Sequence, residues 1–433
     1  MAPAEVEDPV YDIKLSSVVP ASITGEDRVH EFSSMDLALK LHYLRGLYFF
    51  KSNMVQGLTI YDYKKHLFKW LEINGVLSGR IRRSESGRPS IKCNDGGVRV
   101  IEAQCSNTLD QWLEMNDYSL HRRLFPNQVL GPDLGFSPLI LVQFTWFKCG
   151  GVSVGLSWAH VLGDPFSASR LINIWAQMLS DRLPPKSFNL PKAEPKPQMP
   201  ETPVHDGSEP VSVKQVEPVG EHWLVANNCQ METFSFQLTS AELTNLHSKM
   251  RNQTGKTPTF ESLSAIIWQS LARVRGKPEP RTVTVYRKGR HDGELGNNQA
   301  VSVVKADFSI ADASASELAQ MLVGRSVEEN SKIEKAVERD QGLTDFIALG
   351  VNLTFVNLEE VELYGLEFRG QKPIYANCLI DGVGDEGVVL VLPGPESGSI
   401  AEGRGGRTVT VTLPENQVAQ LKNELQREWC ISV

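Results

Sequence analysis

The sequence predicts an α/β protein with mixed sheets, divided by an extended linker. Three observations carry that prediction. Segments of strand period and helix period follow one another without the strict βαβ repeat of a doubly wound sheet. The 433 residues suffice for two or more domains with ample core. Between them, Pro184 to Pro218 is rich in Pro, Lys, Glu and Ser and has no sustained periodicity, so it reads as an extended crossover. The expected organisation is a domain over 1–183, a linker over 184–218 and a domain over 219–433.

In chain order, Tyr48-Phe49-Phe50 reads as a core strand that is also able to line an apolar tunnel. Leu139 to Phe147 is apolar, β-branched and aromatic, and Val152, Val154, Leu156 and Trp158 alternate with small polar residues at the strand period of two. Lys148-Cys-Gly-Gly151 joins the two runs as a hairpin turn. Next, Phe166, Leu171, Ile172, Trp175, Met178 and Leu179 recur at helical spacing up to the stop at Pro184-Pro185. Beyond the linker, Phe260, Leu263, Ile267, Leu271 and Val274 form a helix begun at Thr257-Pro258 and closed by Gly276 and Pro278. Thr282 to Tyr286, Val301 to Lys305, Gly387 to Leu392 and Thr408 to Leu413 read as strands, and Glu415 to Glu428 as a closing helix. Glu317 to Arg339 reads as one helical run with a solvated, charged face.

Composition excludes several functions. A net charge of −8 argues against nucleic acid and against electrostatic docking on anionic lipid. A protein of this charge working near a membrane needs a protein partner or an apolar patch. The most apolar stretch, Leu139 to Trp158, is broken by Gln143, Lys148 and the glycine turn, so no span is expected. The opening Met-Ala-Pro-Ala-Glu-Val-Glu-Asp is acidic where a signal peptide is basic and then apolar, which places the chain on the cytosolic side. Six cysteines (Cys93, Cys105, Cys149, Cys229, Cys378, Cys430) form no close pair, which reads as reduced thiols without zinc spacing. Neither a metal nor a cofactor is expected.

His160 and Asp164 divide two tasks, the first placed for chemistry and the second for holding the turn. The histidine stands where a strand runs out, and the aspartate, followed by Pro165, stands where a helix begins. Asp and Pro in that order are what a helix N-terminus selects, so Asp164 reads as an N-cap. His160 is either a hydrogen-bonded turn residue or a catalytic group at the mouth formed by strand ends. His205-x-x-x-Glu209 repeats the spacing but lies in the linker. Gly403-Arg-Gly-Gly-Arg407 lacks the Lys-Ser/Thr ending and preceding strand of a phosphate loop, and reads as a surface loop.

A longer match adds to this reading. Pro138 to Asp164, with Leu141-Val-Gln, Phe147-Lys-Cys-Gly-Gly and His160-x-x-x-Asp164, resembles the plant acyl-CoA-dependent acyltransferase family known as BAHD. Ser34-Met-Asp36, Gly79-Arg80, Cys93-Asn-Asp-Gly-Gly-Val98, Glu102-Ala103, Arg287 and Gly296-Asn297 extend the resemblance over nearly the whole chain. It implies two similar chloramphenicol-acetyltransferase-like domains, joined by a crossover, with a channel between them. It also implies His160 as the general base that deprotonates an acceptor attacking the thioester of acyl-CoA. Asp164 and Arg287 are implied as a structural pair. Thr354, near the family's Ser/Thr-Trp position, takes the place of a substrate-binding donor to the charge building on the carbonyl oxygen. Two departures stand out: Pro165 replaces a glycine, and Glu367-Phe-Arg-Gly-Gln-Lys-Pro373 replaces Asp-Phe-Gly-Trp-Gly-Lys-Pro, with loss of the Trp ring. The second change reads as altered scaffolding or an altered partner surface.

Leu15-Ser-Ser-Val-Val-Pro-Ala21, Lys40-Leu-His-Tyr43, Ser157-Trp-Ala-His160, Phe166-Ser-Ala-Ser169, Asn352-Leu-Thr-Phe-Val-Asn-Leu358 and Gly382-Val-Gly-Asp385 are similar to the eceriferum-two/glossy-two-like branch of that family. This implies a role in cuticular wax formation at the cytosolic face of the endoplasmic reticulum, peripheral to the membrane, or in the cytosol. The implied partner is a β-ketoacyl-CoA synthase, the condensing enzyme of very-long-chain fatty acid elongation. Two functions follow: an accessory protein that extends elongation without turnover of its own, with acyl-CoA as ligand, or an active O-acyltransferase with acyl-CoA as substrate and His160 as base.

Overall fold

Leu139 to Trp158 folds into the predicted hairpin, at the centre of one of two large mixed sheets. The computed structural model describes residues 8–25, 28–115, 118–180, 208–225, 227–250, 257–289, 295–395 and 405–433. In spatial order, the first sheet runs β1 (Val10–Val18), β6 (Val98–Cys105), β7 (Ile140–Phe147), β8 (Val152–Ala159), β3 (Tyr43–Phe50) and β16 (Tyr375–Asp381). Only β6 and β7 are parallel within it. The second runs β10 (Met231–Leu238), β18 (Arg407–Pro414), β17 (Val388–Pro393), β15 (Leu353–Asn357), β11 (Thr282–Arg287), β12 (Ala300–Lys305) and β13 (Val327–Glu328). It is parallel at β17–β15 and β15–β11. A small sheet of β2 (Val29–Glu31), β5 (Pro89–Lys92) and β4 (Arg80–Arg83), and a pair of β9 (Lys214–Val216) with β14 (Asp345–Ile347), complete the strands.

Each large sheet is covered by helices, as the apolar periodicity requires. Helices Ile60–Ile73 and Pro165–Leu179 pack on the first sheet, where Tyr63 stacks on Phe144 of β7 with centroids 4.5 Å apart. Helices Thr259–Arg275 and Glu415–Trp429 bury their apolar stripes in the core of the second. The centre of β8 runs under the segment preceding Pro126 at Gly155, where a Cβ would collide with the carbonyl of Leu124.

Three expectations change. The segment Tyr375–Asp381 lies in the predicted second domain yet completes the first sheet, pairing antiparallel with β3. All eight residues of β3 are buried, and a buried strand cannot leave one row of backbone donors and acceptors unpaired. The linker is not extended throughout. Residues 184–207 lie outside the described residues, but Lys214–Val216 pairs with β14, and Val219 N donates to Asp345 Oδ2 at 2.7 Å. Finally, Glu317 to Arg339 is two helices, Ala315–Gly324 and Asn330–Glu338, separated by β13, which pairs with the edge of β12. The β-branched Val327 interrupts a charge pattern that looked continuous.

Several motifs of the sequence lock one another. Arg80 donates to the carbonyls of Gly79, Gly96 and Gly97 at 2.6–2.9 Å, so one motif holds the turn of the next. Lys40, fully buried, pairs with Asp345 and places its ammonium 5.6 Å from the centre of the Trp223 ring, clasping the first domain to the second.

Candidate active site

β8 delivers His160 into a short turn, His160–Leu162, and Gly163, at φ 149°, redirects the chain into the helix Pro165–Leu179. Asp164 caps that helix: its Oδ1 accepts from Ser167 N at 2.9 Å, and Pro165 occupies the first helical position. The capping reading of Asp164 is therefore correct in geometry.

What holds the turn comes from the other domain. Asp164 N donates to Gly296 O at 3.1 Å, and Ser167 Oγ donates to the same carbonyl at 3.1 Å. Asn298 N donates to Asp164 Oδ2 at 3.1 Å. Asn297 Nδ2 donates to His160 O and to Asp36 Oδ1, each at 2.8 Å, while Asn297 N donates to the same Asp36 oxygen at 3.1 Å. The second Asp36 oxygen accepts from Ser33 N at 2.8 Å, closing the capping box of the helix Ser34–Ala38. Three motifs separated by more than a hundred residues each, around Asp36, His160 and Asn297, thus meet at one place.

Arg287 does not join them. It lies at the end of β11 and donates to Glu261 Oε1 at 3.1 Å and to Leu322 O at 2.8 Å, with Phe260 under its guanidinium. The implied Asp164–Arg287 pair is not formed. The reason is the period of two in a strand. Tyr286 faces the domain junction, where its hydroxyl donates to Ala348 O, and its neighbour must face the helix Thr259–Arg275 on the other side. Asp164 is satisfied by neutral donors instead, and burial pushes its carboxyl up to about 6.

Thr354 is fully buried in β15. Its hydroxyl donates to Asn352 O at 2.8 Å and accepts from Gly350 N at 3.1 Å, so its proton already has an acceptor in the scaffold. It is not free to act as the expected oxyanion donor.

One residue escaped the functional reading of the sequence. His42, in the loop between the helix Ser34–Ala38 and β3, stands edge-on to His160 with ring centroids 6.4 Å apart. Its carbonyl accepts from His160 N at 3.0 Å, and its Nε2 accepts from Ala348 N at 3.0 Å and Leu349 N at 3.3 Å. A ring nitrogen that accepts two N–H groups carries no proton, so His42 is neutral with its hydrogen on Nδ1. Burial, reinforced by the neighbouring His160, pushes His42 down to about 3, and burial pushes His160 down to about 4. His42 stands in the Lys40-Leu-His-Tyr43 segment that carries the branch resemblance, which by itself assigns the ring no chemistry.

The altered segment 367–373 is a tight turn. Phe368 and Gln371 exchange backbone hydrogen bonds at 3.0 Å, with Arg369 and Gly370 at positive φ. Phe368 is buried against Phe50, Tyr63 and Trp175, at 4.5, 5.2 and 5.7 Å between centroids. Glu367 and Lys372 line an open cleft of about 380 Å³ together with Glu362 and Arg407. Of the set-aside motifs, His205 and residues 403–404 lie outside the described residues. Glu209 pairs with Arg339 in solvent, and Arg407 pairs with Glu359. Among the described residues no three His, Cys, Asp or Glu side chains are grouped to hold a metal ion, and no helix is long and apolar enough to cross a membrane.

Two mixed-sheet domains with a His-x-x-x-Asp turn pinned between them define an acyltransferase-type fold. A family model described as the Transferase family matches residues 9–428, and the chain belongs to that family, the BAHD acyltransferases. It is 39% identical over 431 residues to Protein ECERIFERUM 2 of Arabidopsis thaliana, covering 96% of this chain and 98% of the relative. It is 38% identical to Protein ECERIFERUM 26-like of the same plant, covering 98% and 97%. Its fold is similar to the crystal structure of vinorine synthase, with a TM-score of 0.71 at 18% identity over 96% of this chain and 98% of that one.

Proposed function

We propose that this chain is an accessory protein of the BAHD fold that works with a β-ketoacyl-CoA synthase to extend very-long-chain fatty acid elongation for cuticular wax. In this reading acyl-CoA is a ligand, and the site of action is the cytosolic face of the endoplasmic reticulum. The near full-length similarity to ECERIFERUM proteins supports the wax-related role.

The observation that carries the accessory role is the state of the candidate base. Burial lowers the proton affinity of the His160 ring to a pKa of about 4, although its own carbonyl and the Asn297 side chain favour the charged form. General bases work best when their pKa lies near the operating pH, and a catalytic imidazole is ordinarily oriented through its second nitrogen. His160 departs from the first condition, because its pKa of about 4 lies well below neutral pH. The hydroxyl of Thr354, tied to Asn352 O, supports the same reading.

The test is co-expression of the His160→Ala chain with a plant condensing enzyme in yeast. The fatty acid profile still shifts to longer chains, with protein level and association unchanged. Loss of the shift under those conditions overturns the reading.

The second reading is an acyl-CoA-dependent O-acyltransferase, favoured by the backbone clamp on the His160 turn. There His160 takes the proton of a hydroxyl, the oxygen attacks the thioester carbonyl, and CoA leaves as its thiol after regaining the proton. Release of free CoA by the purified chain with a hydroxyl acceptor decides for it.

A further inference from the structure

We propose that Ser86, at the tip of the β4–β5 hairpin, is a phosphorylation site for an arginine-directed protein kinase, and that its phosphate unfastens a clasp this hairpin makes with the rest of the chain. Ser86 is the one serine of the sequence with an arginine three residues ahead of it, Arg83, and Arg82 and Arg88 stand close on either side. Thr284 and Thr410 share that spacing but are buried, and Thr254 lies outside the described residues. Guanidinium groups at fixed offsets from a hydroxyl are what a kinase with an acidic peptide groove selects. Ser84, Glu85 and Ser86 are all exposed, and Glu85 is the one acid of the tip. The Ser84 and Ser86 hydroxyls lie 2.9 Å apart, and two backbone bonds, Ser84 N to Arg88 O and Gly87 N to Ser84 O, hold the turn. So short an exposed tip opens locally with little loss, as seating in a kinase groove requires.

The same arginines fasten the hairpin. Arg83 Nε donates to Glu221 Oε1 at 2.6 Å and its Nη1 to Gly87 O at 3.1 Å, so the guanidinium already lies against the residue that follows Ser86. Arg88 grips both oxygens of Glu338, each at 3.0 Å, at the end of the helix Asn330–Glu338. Glu221 belongs to the segment that crosses between the domains. That segment is tied on one side by Val211 N and Ser212 N to Glu329 and on the other by Trp223 N to Leu130 O. In the transfer, Ser86 Oγ attacks the γ-phosphorus of ATP, the bond to the β–γ bridging oxygen breaks, ADP leaves, and the hydroxyl proton passes to the base of the kinase. The product adds about two negative charges at neutral pH. It gives Arg83 a doubly charged acceptor in place of Glu221 and repels the carboxylates of Glu221 and Glu338. Partly exposed ion pairs of this kind are weak enough to be exchanged for a phosphate. Phosphorylation thus loosens the crossing segment and its neighbour, the helix Asn330–Glu338. The proposal is independent of whether the chain turns over acyl-CoA.

The experiment treats the full-length purified chain with the catalytic subunit of a cyclic-AMP-dependent protein kinase and ATP, maps the phosphate by tandem mass spectrometry, and follows backbone hydrogen exchange before and after. Phosphate is found on Ser86, Ser86→Ala abolishes the labelling, and Arg83→Gln slows it about tenfold, the loss of one charge-assisted bond. In the phosphorylated chain the amides of Val219 and Trp223 exchange about fivefold faster, as release of a partly exposed ion pair allows, while the strand Met231–Leu238 is unchanged. Arg83→Gln combined with Arg88→Gln reproduces that change without the kinase. The proposal is overturned if Ser86 takes no phosphate, if the phosphate goes to Ser84 instead, if exchange in the phosphorylated chain is unchanged, or if the double arginine variant exchanges as the native chain does. Neither acyl-CoA nor a synthase takes part, so failure here leaves the yeast result untouched.

Discussion

The main-chain carbonyl of His42 accepts from His160 N at 3.0 Å, and the two imidazoles stand edge to face across 6.4 Å. One histidine thus supports the other, and the supporting ring also accepts two amides of the second domain, Ala348 N and Leu349 N.

Replacing His42 by Ala leaves those two buried donors without an acceptor. Each unsatisfied buried group costs about 1–3 kcal/mol, so a loss of about 3 kcal/mol in a denaturant titration is expected. His42→Phe, which fills the volume but accepts nothing, should lose nearly as much. A variant as stable as the native chain would show that the 348–349 amides find water or another partner.

Stability should fall as pH drops below about 6.5. Both rings have folded pKa values below the unfolded value, about 3 for His42 and about 4 for His160, so between 6.5 and 4 the unfolded chain binds protons that the folded chain does not. Each ring then contributes a slope of about 1.4 kcal/mol per pH unit. Asp164 works the other way. Its folded value of about 6 lies above the unfolded one, so between 6 and 4 the folded chain takes up the proton first and stability rises as pH falls. Two histidines against one aspartate leave a net loss. Unfolding free energies measured from pH 7 to 5 should show it, and His160→Gln should flatten the slope by about one proton.

Asp164 and Arg287 should behave as independent sites. Asp164→Ala removes the acceptor of Ser167 N and Asn298 N and should cost about 2 kcal/mol, within the range for a lost N-cap. Arg287→Ala strips the partner from the buried Glu261. In a double-mutant cycle the two effects should add to within about 0.5 kcal/mol. A larger coupling energy would restore the pairing that the BAHD resemblance implied.

Phe368→Ala should be among the more costly substitutions in the altered segment, at about 3–5 kcal/mol, because the ring is buried against Phe50, Tyr63 and Trp175. Arg369→Ala, which removes one exposed bond to Gln56 O, should cost less than about 1 kcal/mol. Thermal melts of the pair separate scaffold from surface. If the two melt alike, the Phe368 ring contributes less than its burial implies.

Much of the site was legible one motif at a time. The end of β8, the turn at His160 and the capping of the helix Pro165–Leu179 by Asp164 rest on neighbouring residues, and strand alternation, proline and capping chemistry act over a few positions. The partners of that turn were not legible by the same rules. Asn297 reaches His160 O and Asp36 from the far side of a domain junction, and strand alternation turns Arg287 away from Asp164 although the resemblance implies their pairing. A single alternating strand does not reveal which of its faces meets the junction.

By itself, the sequence determined the mixed α/β class, most of the main strands and helices, and the presence of a histidine at a strand end before a capped helix. Those are properties of local periodicity and short-range hydrogen bonding. Tertiary structure alone decided that β16 belongs to the first sheet, that His42 lies beside His160, that Thr354 and Arg287 are engaged elsewhere, and that burial lowers the proton affinity of the candidate base. Each of these depends on which buried groups meet across hundreds of residues, and desolvation follows from that meeting rather than from the identity of any one residue.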